Sequence, residues 1–169
     1  MALKGRSVGL SFWPALTADG RRLYSNRARG QPVHAGSSIR RREIVLDQEL
    51  KRQPRELSRI LVHELFHFAW VRLGNPKRRS YEALVLQEWK QRARGELGWS
   101  AESRKTALSR NARRVDESRW RDYLCESFCD TAAWIYSGVR RHPEYTLAAR
   151  HRKRRAEWFR AVFVAAIPI

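Results

Sequence analysis

Two thiols in 169 residues, Cys125 and Cys129, are too few for a disulfide framework, and a pair four apart on one helix is poorly aimed for a bridge. Burial as small apolar groups is their expected fate. No signal-peptide-like apolar stretch follows Met1, which together with the free thiols points to a reducing, cytoplasmic setting. A membrane span is missing as well. The longest apolar candidate, Trp158 to Ile167, is interrupted by Arg160, falls short of the ~20 residues required, and is expected to form the last core helix. No segment repeats at a fixed period. Acidic residues are scarce: 17 Asp and Glu face 35 Lys and Arg, for a net charge of +18.

What is present suffices for a core. With 43% hydrophobic residues and seven tryptophans, the expectation is one domain over 1–169. The segment that prescribes a chemistry is His63-Glu64-Leu65-Phe66-His67, an H-E-x-x-H pattern in an apolar helical stretch. Histidines four apart lie one above the other on a helix face, so both imidazoles can reach one metal ion. Glu64 follows the first histidine and can take a proton from a water that the metal has acidified. Pro54 suits a first helical turn, and Gly74-Asn75-Pro76 is a stop, which predicts a helix of about twenty residues. Leu57, Ile60, Leu61, Leu65 and Phe68 form its apolar surface, with Arg52, Arg55, Glu56 and Arg59 near its exposed beginning.

A zinc site needs a third protein ligand. The best candidate is Glu126, in Tyr123-Leu124-Cys125-Glu126-Ser127-Phe128-Cys129-Asp130. Asp130, one turn further on the same face, is placed to accept the free ring N–H of a ligating histidine. An H-E-x-x-H helix followed by a helix carrying E-x-x-x-D resembles the gluzincins, the thermolysin-like clan of zinc metallopeptidases, over about Ile44 to Tyr136. The resemblance implies one Zn2+ per chain held by His63, His67 and Glu126, Glu64 as general base, Asp130 as the partner of His63, and a protein or peptide substrate. Other H-E-x-x-H groups fit less well. The metzincin extension needs Gly at 70 and His at 73, where Trp70 and Leu73 stand, and SprT-like proteases usually take a third histidine.

The cysteines offer a structural alternative, a closed Cys2His2 site of Cys125, Cys129, His63 and His67. Neighbouring helix positions point about 100° apart, so the face with Glu126 and Asp130 and the face with the two cysteines are expected to exclude each other. An inactive zincin scaffold is a further alternative. Tyr123, Tyr136, His142 and Tyr145 are the hydrogen-bond donors nearest in sequence to the ligand helix, and nothing ranks them as oxyanion donors.

Along the chain, 7–13 and 42–47 read as strands, 20–36 as turns with a hairpin, and 81–95, 101–112, 117–137 and 146–166 as helices, the third opened by Asp116 and closed by Gly138. The fold class is α+β, a small N-terminal sheet over the active-site helix followed by a helical majority. In the resembling fold an edge strand of that sheet binds extended substrate through its main chain, which gives Ile44, Val45 and Leu46 a candidate role; an interior strand is the alternative. Basic clusters at Arg40-Arg41-Arg42, Lys77-Arg78-Arg79, Arg113-Arg114, Arg140-Arg141 and Arg150-His151-Arg152-Lys153-Arg154-Arg155 spread the charge over the chain. They make nucleic acid a candidate partner, although solvated helix faces are the commoner fate of such runs and no DNA-binding motif accompanies them.

Overall fold

The structure, a computed structural model, describes residues 2–20, 22–26, 29–108 and 117–169. It is α+β. The N-terminal part runs β1 (Leu3–Lys4), β2 (Gly9–Trp13), β3 (Thr17–Asp19), β4 (Arg22–Tyr24), β5 (Gln31–Pro32), β6 (Ala35–Ser38) and β7 (Glu43–Asp47). A 3-10 turn, Gln48–Arg52, leads into α1 (Pro54–Arg72), α2 (Asn75–Lys90), α3 (Trp99–Ala107), α4 (Glu117–Tyr136), α5 (Ala149–Val162) and a final β8 (Ile167–Pro168).

The main sheet has the order β2-β7-β6, with β2 parallel and β6 antiparallel to β7. This corrects the edge-strand expectation for Ile44, Val45 and Leu46. Their strand is central, hydrogen-bonded on both sides and buried on both faces, as suits a continuous Ile-Val-Leu run. The edge belongs to the small-residue strand Ala35-Gly36-Ser37-Ser38, which among the described residues pairs only with β7. A Cβ at Gly36 would stand 3.0 Å from the Leu23 methyls, so a larger residue there would have to push the Leu23 side chain of the β3–β4 hairpin aside by a few tenths of an ångström. Asp47 ends β7 and joins the sheet to α1. One of its carboxylate oxygens accepts the Leu16 N–H at 2.7 Å and the other accepts that of Glu49 at 2.8 Å, capping the 3-10 turn.

Pro54 occupies the first turn of α1. Gly74-Asn75-Pro76 both stops α1 and starts α2, so α2 begins at 75 rather than near 81. The remainder of the helix expected over 101–112, together with Arg113, Arg114 and Asp116, lies outside the described residues. Gly138, at φ 78°, closes α4 in a conformation that favours glycine. The C-terminal apolar segment is only partly helical. Helix α5 ends at Val162, and β8 pairs in parallel with β1, where it ties the two ends of the described chain together.

Helices α1 and α4 pack side by side over an aromatic core. Phe66 stacks on Tyr136 at 5.4 Å and Phe128 on Phe159 at 5.0 Å between centroids, with Tyr81, Trp70 and Trp158 around them. Burying each such ring contributes roughly 1.5–3 kcal/mol, and together they set the α1–α4 seam on which the candidate site stands.

Beside that core lies an ion cluster that corrects the reading of the last basic run as a solvated face at Arg155, while Arg150 and Lys153 of the same run stay exposed. Arg155 is 0% exposed. Its guanidinium donates to Glu88 at 2.6 and 3.0 Å and to Glu96 at 2.7 and 3.2 Å. Lys105 also reaches Glu96 at 3.0 Å, and the Tyr123 hydroxyl donates to the same carboxylate. Two cations thus balance two anions, and the cluster joins α2, the connection after it, α3, α4 and α5.

Candidate metal centre

The groove beside α1 has a volume of about 1300 Å³ and is lined by β6, by His63, Glu64 and His67 of α1, by the start of α3, and by Cys125, Glu126 and Asp130 of α4. The sheet lies on one side of it and the α3–α4 pair on the other. Periodicity puts the histidines here: Val62, Phe66 and Ala69 turn into the core, which leaves His63 and His67 on the flank facing α4.

His63 is held from two directions. Its Nδ1 lies 2.7 Å from Asp130 Oδ1, and because a carboxylate can only accept, the proton sits on Nδ1. The ring therefore presents Nε2 as its free donor atom. That atom is 3.2 Å from His67 Nε2 and 3.2 Å from Glu126 Oε2. Lone pairs converging so closely repel unless a cation joins them, and either a proton on His63 or a metal ion can serve. Burial by itself would lower the His63 pKa, but the Asp130 charge and hydrogen bond and the hydrogen bond to Glu126 carry it well above the usual value. Glu126 responds in the opposite sense. Burial disfavours its charge, yet the His63 hydrogen bond and the positive charges of His67, His63 and Arg104 pull it down to about 2.

Asp130 is anchored in turn. It is 2% exposed, and its second oxygen accepts the Ala101 N–H of α3 at 2.8 Å. The approach is so close that a Cβ on Gly98 would stand 2.3 Å from the Asp130 carboxyl carbon. Arg104, also on α3, donates to Glu126 Oε1 at 3.1 Å and leaves Oε2 turned toward His63. Neither Gly98 nor Arg104 carries a signal in the sequence, because both act through the docking of α3 on α4.

His67 meets the thiols. Its Nδ1 is 3.5 Å from both Cys125 Sγ and Cys129 Sγ. A hydrogen bond from Cys129, against the opposing effect of burial, and a further one from His67 bring the Cys125 thiol down to about 6, whereas burial and donation to Cys125 raise Cys129. The donor atoms of His63, His67 and Cys129 all lie within 4.8 Å of one another, a group able to hold a metal ion. Both faces of α4 thus touch the histidine pair, although the group able to share one ion takes Cys129 and not Glu126. The histidines sit four residues apart on α1, about 6 Å along its axis, and His63 meets Glu126 and Asp130 while His67 meets Cys125 and Cys129.

Glu64 is buried and lines the same groove. None of the four residues considered as oxyanion donors does, among the described lining residues. Tyr123 binds Glu96, Tyr136 stacks in the core, His142 pairs with Glu56 at 2.7 Å, and Tyr145 is buried in a small separate cluster with Leu97 and Leu147. The donors that do line it include those of Gln31, His34, Ser37, Arg59, Ser100 and Arg104, and Trp99 stands on its rim 68% exposed. Among the described residues no helix is long and apolar enough to cross a membrane. No protein-family model matches the chain, nor does any curated protein or solved structure.

Proposed function

We propose that this chain is a zinc-dependent metallopeptidase of gluzincin type, with zinc held by His63, His67 and Glu126. The observation that carries the reading is the position of His63 Nε2, 3.2 Å from both His67 Nε2 and Glu126 Oε2, with Nδ1 fixed by Asp130. Two nitrogens bound at about 2.0–2.1 Å to one tetrahedral ion stand about 3.4 Å apart, so the His63–His67 separation suits zinc, and Glu126, outside the group whose donor atoms lie within 4.8 Å of one another, closes on the ion from the His63 side. When bound, zinc would supply a Lewis acid for the scissile carbonyl and a water of pKa about 7. Glu64 accepts the proton of the attacking water and passes it to the leaving amine, which requires no covalent intermediate. Asp130 keeps His63 in the tautomer that ligates, and Arg104 keeps one Glu126 oxygen aimed at the site. An extended peptide is received along β6, an edge strand whose residues Ala35, Gly36 and Ser37 line the groove, by main-chain hydrogen bonds.

The group whose donor atoms lie within 4.8 Å of one another takes in Cys129 but neither Glu126 nor Cys125, so a closed Cys2His2 site of His63, His67, Cys125 and Cys129 is the alternative that ligand variants separate from this reading. Glu64→Gln tests the peptidase reading. It preserves shape and ligands but removes the base, so cleavage of an unstructured protein substrate should fall by about 10²–10⁴-fold with zinc content unchanged. Equal cleavage by wild type and Glu64→Gln would refute it.

A further inference from the structure

The proposed reaction develops negative charge on the carbonyl oxygen under attack, and none of the four donors nearest in sequence is among the described residues that line the groove. A donor from elsewhere in the fold has to meet that charge. Arg59 lines the groove but is spent: its guanidinium donates to Glu56 at 2.9 and 3.0 Å and to Glu144 at 2.9 Å. Gln31, His34 and Ser37 stand on the sheet side. Arg104 differs from all of these, because its Nη2 lies 3.1 Å from Glu126 Oε1 while the other oxygen of that carboxylate faces His63. The guanidinium is thus one carboxylate width from the centre. Its Nη1 donates to the Ser100 carbonyl at 3.0 Å, one turn back on α3, which fixes the side chain from a second direction. These bonds use two of the five N–H hydrogens of a guanidinium. The side chain is 41% exposed and lines the groove, so a bound peptide can reach the remaining three.

We propose that Arg104 is the oxyanion donor of this site, a catalytic residue that touches the reacting carbonyl in addition to holding Glu126. The inference rests on the zinc-peptidase reading and adds the group that its mechanism leaves unassigned. As water attacks and Glu64 takes its proton, the carbonyl π pair moves onto oxygen. The guanidinium donates a hydrogen bond to that oxygen and keeps its own proton; the pair returns to carbon as the C–N bond breaks and the leaving amine takes the proton from Glu64. A cation already held by two bonds requires little reorganisation at that moment, and its effect is therefore concentrated in the transition state.

The test compares wild type, Arg104→Gln and Arg104→Ala, each saturated with zinc, in cleavage of one peptide and in calorimetric binding of two inhibitors. One is a phosphinic peptide, whose tetrahedral anion imitates the intermediate; the other is a thiol peptide, which carries no such oxygen. Both variants should lose about 10²–10³-fold in kcat with little change in KM. Phosphinic affinity should fall by a similar factor while thiol affinity stays at the wild-type level. Guanidinium ion added to Arg104→Ala should restore part of the rate. Wild-type kcat in either variant would overturn the inference and leave the peptidase reading standing. A parallel loss of both inhibitors would also overturn it, because Arg104 would then only position Glu126. Absence of both cleavage and inhibitor binding in zinc-loaded wild type would overturn the peptidase reading and this inference with it. Should Arg104→Ala fail to fold, the split between the two inhibitors in Arg104→Gln still decides.

Discussion

Replacing Asp130 with asparagine separates charge from shape at the point where α1, α3 and α4 meet. In the native protein its two oxygens accept from His63 Nδ1 at 2.7 Å and from the Ala101 N–H at 2.8 Å, with almost no access to water. Asparagine has one oxygen. If it faces His63, its amide nitrogen meets another donor at Ala101, so one buried hydrogen bond is lost, at a cost of about 1–3 kcal/mol. Alanine loses both, and the cost rises to roughly 3–6 kcal/mol, since each bond is to a charged group. Zinc affinity should fall about 10- to 100-fold in either variant because nothing ionic holds the His63 ring; that is about 1.4–2.7 kcal/mol. The pH dependence sharpens the test. In the metal-free protein the folded-state His63 pKa lies well above its ordinary 6.5, with burial opposing and Asp130 and Glu126 raising it. The stability it contributes is therefore complete below about pH 6.5 and is lost as pH rises through the folded value. Zinc competes with that same proton, so affinity should climb over the same interval. Both slopes should flatten in Asp130→Asn. Urea melts of metal-free protein and competition titrations against a chromophoric chelator at several pH values measure them. Wild-type affinity with a wild-type pH slope in the variant would refute the role given to Asp130.

Arg155→Met should destabilise the fold by about 3–5 kcal/mol in denaturant melts, since it leaves Glu88 and Glu96 buried with little compensation, yet folded protein should still bind zinc; a loss below 1 kcal/mol would contradict the ion-cluster account. Gly98→Ala should push the start of α3 off Asp130, breaking the Ala101 hydrogen bond, and so lower both thermal stability and zinc affinity, where an unchanged affinity would show that α3 does not support the site. The surplus positive charge is proposed to bind nucleic acid, with log affinity for a generic duplex falling linearly in log salt and a slope reduced by about 1 for each phosphate contact removed. The residues to reverse are the exposed Arg140, Arg141 and Lys153, because Arg155 is internal; absence of binding at low salt would remove this partner.

Local chemistry was legible in the sequence wherever spacing along one helix decided it. The turn-by-turn position of His63 and His67, that of Glu126 and Asp130, the proline that opens α1 and the glycine that closes α4 all follow from 3.6 residues per turn and backbone sterics. The α+β class followed in the same way from strand-like segments first and helical periods after them. Tertiary structure decided whatever depended on which elements become neighbours. Ile44 to Leu46 could be edge or interior from their own residues, and only the pairing of β2 and β6 to either side made them central. The run from Arg150 to Arg155 resembles a solvated face until Glu88 and Glu96, 67 and 59 residues away, meet Arg155 inside the protein. Angles on a single helix set Glu126 against Cys129 as rivals, but α1 presents its two histidines a full turn apart and gives each of those side chains a histidine to face. Periodicity describes a helix in isolation, and which side chains meet the histidine pair is a property of the seam between two.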